Sequence, residues 1–234
     1  MINSKPIRLT VVIAFALAEL TLGVLVQTVG GAANRWISYS CVVLAFLFAF
    51  IFFEKQWSYA LTQLGLAFTV CADLFLVIMN PMRQLPAMVF FSLTQICYFL
   101  RLYANHKTEG QKRAHLILRV GATAIALLVT PIVLGANTDA LSLVSMFYYA
   151  NLGANVIMAF TQLKISPALA IGLLFFLLCD TVIGLNVMAD SYISGVNDSF
   201  VLTFINSGLN WAWLFYVPSQ TLIALSLFKK TELK

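Results

Sequence analysis

The sequence predicts an all-α, polytopic integral membrane protein, and three observations carry that prediction. Hydrophobic residues make up 61% of the 234 and charged residues 10%, with a mean hydropathy of +0.92, which leaves too little polar surface to cover a soluble globule. Apolar runs of about 20 residues, the length a helix needs to cross a bilayer, follow one another along the whole chain. Lys and Arg gather in alternate breaks between those runs, as they do in cytoplasmic loops.

Taken in order, the runs predict eight transmembrane helices at 8–29, 35–53, 59–79, 84–104, 114–135, 142–163, 165–188 and 200–228. The breaks are rich in turn formers and charge: GGAANR at 30–35, EKQWS at 54–58, NPMRQ at 80–84, HKTEGQKR at 106–113, GANTD at 135–139, LKISP at 163–167 and DSYISGVND at 190–198. Ser166-Pro167 after Lys164 reads as a turn and helix start, which separates the sixth span from the seventh. The first run, Leu9 to Val29, is longer than a signal-peptide core and lacks a cleavage pattern, so it is expected to remain as a helix. A single transmembrane domain over 1–234 is the expectation.

Charge orients the spans. Lys5, Arg8, Lys55, Arg101, Lys107, Lys112, Arg113, Arg119, Lys164, Lys229, Lys230 and Lys234 fall on one side, and Arg35 and Arg83 on the other. The split of 12 to 2 predicts an even number of spans with both termini cytoplasmic. The net charge of +5 is therefore a topology signal, and no nucleic-acid partner is expected.

Polar groups inside the bilayer are where chemistry is to be sought, because hydrocarbon makes them costly. Glu19, Asp73 and Asp180 are the acids well inside spans, and no Lys lies there, which argues against a retinal Schiff base. Cys41, Cys71, Cys97 and Cys179 have no CxxC spacing and read as packing residues. His106 and His115 sit at the basic loop, so no metal site and no cofactor are expected.

The stretch FTVCADLFLVIMN places Asp73 in the third span, and FFLLCD places Asp180 in the seventh. Both spans run the same way, with the two residues about 21–22 Å from the cytoplasmic end at 1.5 Å per residue. Each has a Phe five positions earlier, Phe68 and Phe175, and an Asn six or seven positions later, Asn80 and Asn186. A weak internal duplication fits the pattern. On neighbouring helices the two carboxyls face one cavity, where they cannot both ionise easily and so share a proton near neutral pH. The pair then offers one group that donates a proton and one that accepts it. The competing reading is that each Asp only ties helices together. Glu19 is alone in its helix and is expected as a structural or entrance residue.

Further polar residues are expected to complete the cavity: Gln95 and Tyr98 in span four, Tyr148, Tyr149, Asn151 and Asn155 in span six, and Asn206, Asn210, Tyr216 and Gln220 in span eight. Asn151 with Asn155, Asn206 with Asn210 and Tyr216 with Gln220 are each four apart, so each pair is expected on one helix face. Trp211 and Trp213 are expected near the middle of span eight.

FTVCADLFLV, FFSLTQICYFLRLY, GLLFFLLCDTVIGLN and WLFYVPSQTLIAL resemble, in order and spacing, the motifs of the YhhN-type membrane family that includes the lysoplasmalogenases, over about residues 60–228. The resemblance implies eight helices and hydrolysis of the vinyl ether bond of lysoplasmalogens to a fatty aldehyde and a glycerophospho-alcohol. It places the family's two motif aspartates on Asp73 and Asp180, and its terminal Tyr-x-x-x-Gln on Tyr216 and Gln220. Gln95 stands where family members commonly have His; Gln hydrogen-bonds but does not titrate, so positioning is expected of it and proton transfer is not. The implied partners are a lysophospholipid substrate and membrane lipids, with no obligatory protein partner, in a bacterial cell (inner) membrane. Two rival classes are a proton-coupled small-molecule or lipid carrier, which Pro131 or Pro218 would serve by breaking helices, and a lipid-binding relative that cleaves nothing.

Overall fold

In the computed structural model, residues 5–51, 57–106, 108–191 and 208–228 are described. Those residues are helical, with no strand among them. The elements are α1 (Lys5–Thr28), α2 (Ala32–Ile51), α3 (Trp57–Asp73), a π-helical turn (Leu74–Ile78), α4 (Gln84–Ala104), α5 (Glu109–Leu134), α6 (Ala140–Thr161), α7 (Pro167–Ser191) and α8 (Trp211–Leu225). Among the described residues seven spans are long and apolar enough to cross a membrane: α1, α2, α3 together with its π-helical turn, and α4 to α7. α8 has 15 residues, fewer than a bilayer crossing needs. The first part of the expected eighth span, 200–207, lies outside the described residues, as does Asn206.

Local chemistry sets the helix ends. α6 starts with a reciprocal capping box: Asp139 accepts from the Ser142 backbone N–H at 2.7 Å, and the Ser142 hydroxyl accepts from the Asp139 N–H at 3.0 Å. Those bonds, from the Ser142 backbone first and its hydroxyl second, hold the Asp139 carboxyl below the usual range. Thr108 caps α5. Pro167 opens α7, where its missing N–H goes unmissed. Gly31, at φ 73°, takes the left-handed backbone that reverses the chain between α1 and α2. Pro131 and Pro218 both lie inside helices that continue past them, so neither breaks its helix.

The turns after α1, after the π-helical turn and after α5 share one end of the bundle, called here the Asn80 end. The turns at 105–108 and 162–166 share the other, the His106 end. α8 packs on α7, α2 and α1, α3 packs on α4, and α6 packs on α4, α5 and α7. α1 and α5 lie on the flanks. Leu17, Leu20 and Val24 of α1 and Ile117, Val120, Leu128 and Ile132 of α5 are exposed, as apolar side chains facing lipid are. Two close approaches fix the middle. A Cβ on Gly65 would lie 2.6 Å from Tyr98 Cε1, and one on Gly172 would lie 2.9 Å from Ile223 Cγ1 and 3.1 Å from the Ser219 carbonyl oxygen. Small residues at such crossings let membrane helices meet backbone to backbone.

Candidate active site

Four helices bring one acidic cluster together inside the half of the bundle nearer the Asn80 end. Asp73 is the last residue of α3, about 24 Å along it, and Asp180 lies about 20 Å along α7, counted at 1.5 Å per residue from helices that both start at the His106 end. The helix starts, Trp57 and Pro167, each differ by two residues from the expected 59 and 165. The two carboxyls nevertheless belong to one cluster, because the tyrosine bonded to each packs against the same ring, Phe176.

Each aspartate has its own tyrosine. The Tyr216 hydroxyl of α8 donates to Asp73 Oδ2 at 2.6 Å, and the Tyr148 hydroxyl of α6 donates to Asp180 Oδ2. Phe176 packs against both phenols: its ring centroid is 5.5 Å from that of Tyr216 and 6.4 Å from that of Tyr148. Phe91 closes the other side, 5.5 Å from Tyr148 and 5.8 Å from Phe176. Phe176 sits four residues before Asp180, on the same face of α7. That spacing was open to sequence reading, yet neither Phe176 nor Phe91 was singled out.

Asp73 is followed at once by the π-helical turn, in which the Met79 N–H reaches the Leu74 carbonyl at 3.0 Å. Single π turns inside α-helices occur often at functional sites. Among the described residues no cation bonds to either aspartate. A hydroxyl donor on each carboxyl, aromatic neighbours and no counter-ion in contact make up a site suited to holding and passing a proton.

The other expected residues divide among different surroundings. Tyr149 bonds the Thr181 hydroxyl at 2.8 Å, one helix face away from Tyr148. Asn151 and Asn155 do share a face, but it meets α4 and α5 and not the aspartates. Asn151 donates to the Thr123 hydroxyl at 3.3 Å, while Asn155 donates to Gln95 Oε1 at 3.0 Å and accepts from Arg119 at 3.0 Å. Gln95 therefore positions Asn155 and does not touch the carboxyls. Tyr98 is fully buried on Gly65. Gln220 is also fully buried, with its Nε2 3.5 Å from the Ser219 hydroxyl. Glu19 is buried beside Cys41, with no hydrogen-bond partner on either carboxyl oxygen, and does not join the pair.

Asn210 corrects its expectation. It precedes α8 and caps it, accepting from the Trp213 N–H at 3.4 Å, and its backbone is gripped by Gln27 at 2.9 and 3.0 Å. The helix face expected for Asn206 and Asn210 is absent at 208–210, where Gly208 takes φ 88° and a side-chain acceptor is used at the helix start instead. Trp211 and Trp213 consequently lie in the first turn of α8, not at a span centre. All four cysteines are free.

Sequence reading also missed the polar work done at the His106 end. Arg101, which enters the sequence reading only through the charge split, is buried and donates to the Thr62 and Ser226 hydroxyls, both at 2.7 Å, and to the Ser226 carbonyl at 3.2 Å. It ties down the C-terminal end of α8. His106 and His115 share a hydrogen bond of 3.0 Å between Nε2 and Nδ1. Burial, and then nearby Lys112, hold His106 below its ordinary range, so it is neutral near pH 7 and suited to that bond.

A helical membrane protein with a tyrosine-held carboxyl pair is the class that fold and site define. The YhhN family model matches residues 34–227, and the chain belongs to that family. No curated protein and no solved structure matches it.

Proposed function

We propose that this protein is a membrane-embedded hydrolase that cleaves the vinyl ether bond of lysoplasmalogen-type lysophospholipids, giving a fatty aldehyde and a glycerophospho-alcohol. The observation that carries the reading is the pairing of Asp73 with Tyr216 and Asp180 with Tyr148 around Phe176. One carboxyl, as the acid, transfers its proton to the ether's β-carbon, and the double-bond electrons form the new C–H bond. The oxocarbenium ion that results is stabilised by the neighbouring carboxylate. Water adds to the cationic carbon and gives its proton to that carboxylate. The hemiacetal then collapses to aldehyde and alcohol, so the balance is one ether plus one water. The reaction returns the pair to its starting charge, and a pair that works with one proton gives a bell-shaped pH–rate profile.

The same reading assigns eight spans with both termini and the His106 end in the cytoplasm of a bacterial cell, on the positive-inside split. A proton-coupled carrier is supported less well, because α5 and α8 run unbroken through Pro131 and Pro218. The test is aldehyde release from lysoplasmalogen by the purified protein in detergent, beside Asp73→Asn and Asp180→Asn variants that elute as folded protein. Release by wild type and its loss in both variants is the expected outcome. Folded wild-type protein that releases no aldehyde would sink the assignment.

A further inference from the structure

At the Asn80 end, a cavity of about 300 Å³ opens between α2, the π-helical turn and α8. Arg35, Asn34 and Ser38 of α2, Asn80 after the turn, and Trp213 of α8 are among its lining residues. From this we infer a phosphate subsite: Arg35, with the amides of Asn34 and Asn80, binds the phosphate of the lysophospholipid head group and thereby points the ether toward Asp73. The inference rests on the proposed hydrolase reading and names the part of the substrate that reading leaves open.

Three observations converge on it. The first is position. Trp213 packs edge-on against Tyr216, with ring centroids 5.3 Å apart and planes at 77°, and Tyr216 holds Asp73. Leu76 and Val77, which line the cavity, follow Asp73 by three and four residues, about one helical turn nearer the Asn80 end. The cavity thus lies one helical turn beyond the carboxyl. In a lysoplasmalogen the phosphate and the vinyl ether stand at opposite ends of a three-carbon glycerol, a comparable span.

The second is chemistry. A planar guanidinium donates two parallel N–H groups to a phosphate. Within the described residues Arg35 makes no hydrogen bond and no ion pair, and it is exposed at the cavity. The Ser38 hydroxyl donates to Asn34 Oδ1 at 3.3 Å, which engages the carbonyl of that amide and leaves its NH₂ to donate to a ligand. Asn80 adds a second amide. No acidic residue is among those lining the cavity.

The third is charge economy. Two basic residues, Arg35 and Arg83, fall at the Asn80 end of the expected topology, against 12 on the other side. Positive-inside sorting strips cations from that side, yet one of the two that remain lines the cavity above Asp73. The volume is at the lower limit for ligand pockets, enough for a small head group, with the alkenyl chain left to lie along the apolar helix faces.

Binding is measured first with probes that are not cleaved, by calorimetry on the purified protein in detergent. The probes are acyl lysophosphatidylethanolamine, monoacylglycerol of the same chain length, glycerol 3-phosphate and inorganic phosphate. Wild type is expected to prefer the lysophospholipid over monoacylglycerol. Arg35→Gln is expected to weaken lysophospholipid binding about tenfold or more and to leave monoacylglycerol unchanged. Arg83→Gln, an exposed residue at the same end, should change neither. An unchanged preference in Arg35→Gln overturns the subsite. Arg35-dependent binding of free phosphate or glycerol 3-phosphate as tight as that of the lipid overturns the lipid assignment in favour of a soluble anion. Aldehyde release separates the two proposals. Lost preference in Arg35→Gln with a wild type that releases no aldehyde upholds the subsite and removes the hydrolase. Active wild type whose KM for lysoplasmalogen, relative to 1-alkenylglycerol, is unmoved by Arg35→Gln removes the subsite alone.

Discussion

The two ends of the bundle bury polar groups of opposite kinds. Toward the Asn80 end Asp73, buried, and Asp180, partly buried, are each held by one phenol and packed near rings, with no cation bonded to them among the described residues. Toward the His106 end the groups are cations and imidazoles: Arg101 is satisfied by two hydroxyls and a carbonyl, Arg119 stands 4.1 Å over the Phe99 ring and bonds Asn155, and His106 and His115 bond each other. Arg101, whose guanidinium bonds two hydroxyls and a carbonyl on α3 and at the end of α8, stabilises one arrangement of helices. A carboxyl pair with one donor each and no counter-ion keeps capacity to exchange a proton. The comparison teaches that cost in the membrane is not by itself a sign of chemistry; what matters is whether the neighbours have already used the group.

The sharpest way to break the comparison is to neutralise the acid end. Asp73→Asn and Asp180→Asn should each lower kcat for aldehyde release by about a thousandfold with the fold retained by circular dichroism and gel filtration. Loss below tenfold in either would mean the pair is structural after all.

Removing the phenols sharpens it. Tyr216→Phe and Tyr148→Phe keep ring volume and packing on Phe176 but delete the donor to each carboxyl. A hydrogen bond to a charged group contributes about 1.5–3 kcal/mol, so kcat should fall about 10- to 100-fold. If the two variants differ by more than about tenfold, the aspartate whose tyrosine matters more is the one that bears charge in the rate-limiting step.

The basic end should answer differently. Arg101→Met keeps the buried stem and removes the bonds to Thr62 and Ser226. Its melting temperature should drop by several degrees, while kcat per folded molecule stays within about twofold. A collapse of kcat to the level of the aspartate variants would erase the contrast between the ends.

The smallest effect is expected at the Asp139 cap. Asp139→Ala removes the acceptor that starts α6 and should cost a few degrees at pH 7. Because the folded carboxyl is held below its ordinary range, its contribution is complete above the unfolded value of about 3.9. It is lost as pH falls through the lower folded value. The gap between wild type and variant should therefore close in strong acid, as followed by thermal melts across pH.

How much was legible varies residue by residue. Asp73 and Asp180 could be placed at similar depth because helix rise is fixed and both spans start from the same side, and the family motif pointed to Tyr216. Between Tyr148 and Tyr149 the sequence gives no choice, since neighbours on a helix point about 100° apart and only the position of α7 says which one meets Asp180. Asn151 and Asn155 share a face, as spacing requires, but spacing does not say that the face looks to α4 and α5. That Asn210 caps α8 is not legible because composition alone does not mark where α8 begins. The structural work of Arg101 is not legible in sequence because its hydroxyl partners are 39 and 125 residues away.

By itself the sequence determined the membrane class, the family, the approximate positions of the first seven apolar helices and the two acids within them. These follow from hydrophobicity, span length and motif order, all of which are local along the chain. Tertiary structure decided which phenol holds which carboxyl, that Phe176 packs on both phenols, and that a cavity lined by Arg35 opens one turn beyond Asp73. Those are matters of helix rotation and crossing, set where Gly65 meets Tyr98 and Gly172 meets Ile223, because side-chain packing between distant segments has no counterpart in any one stretch of sequence.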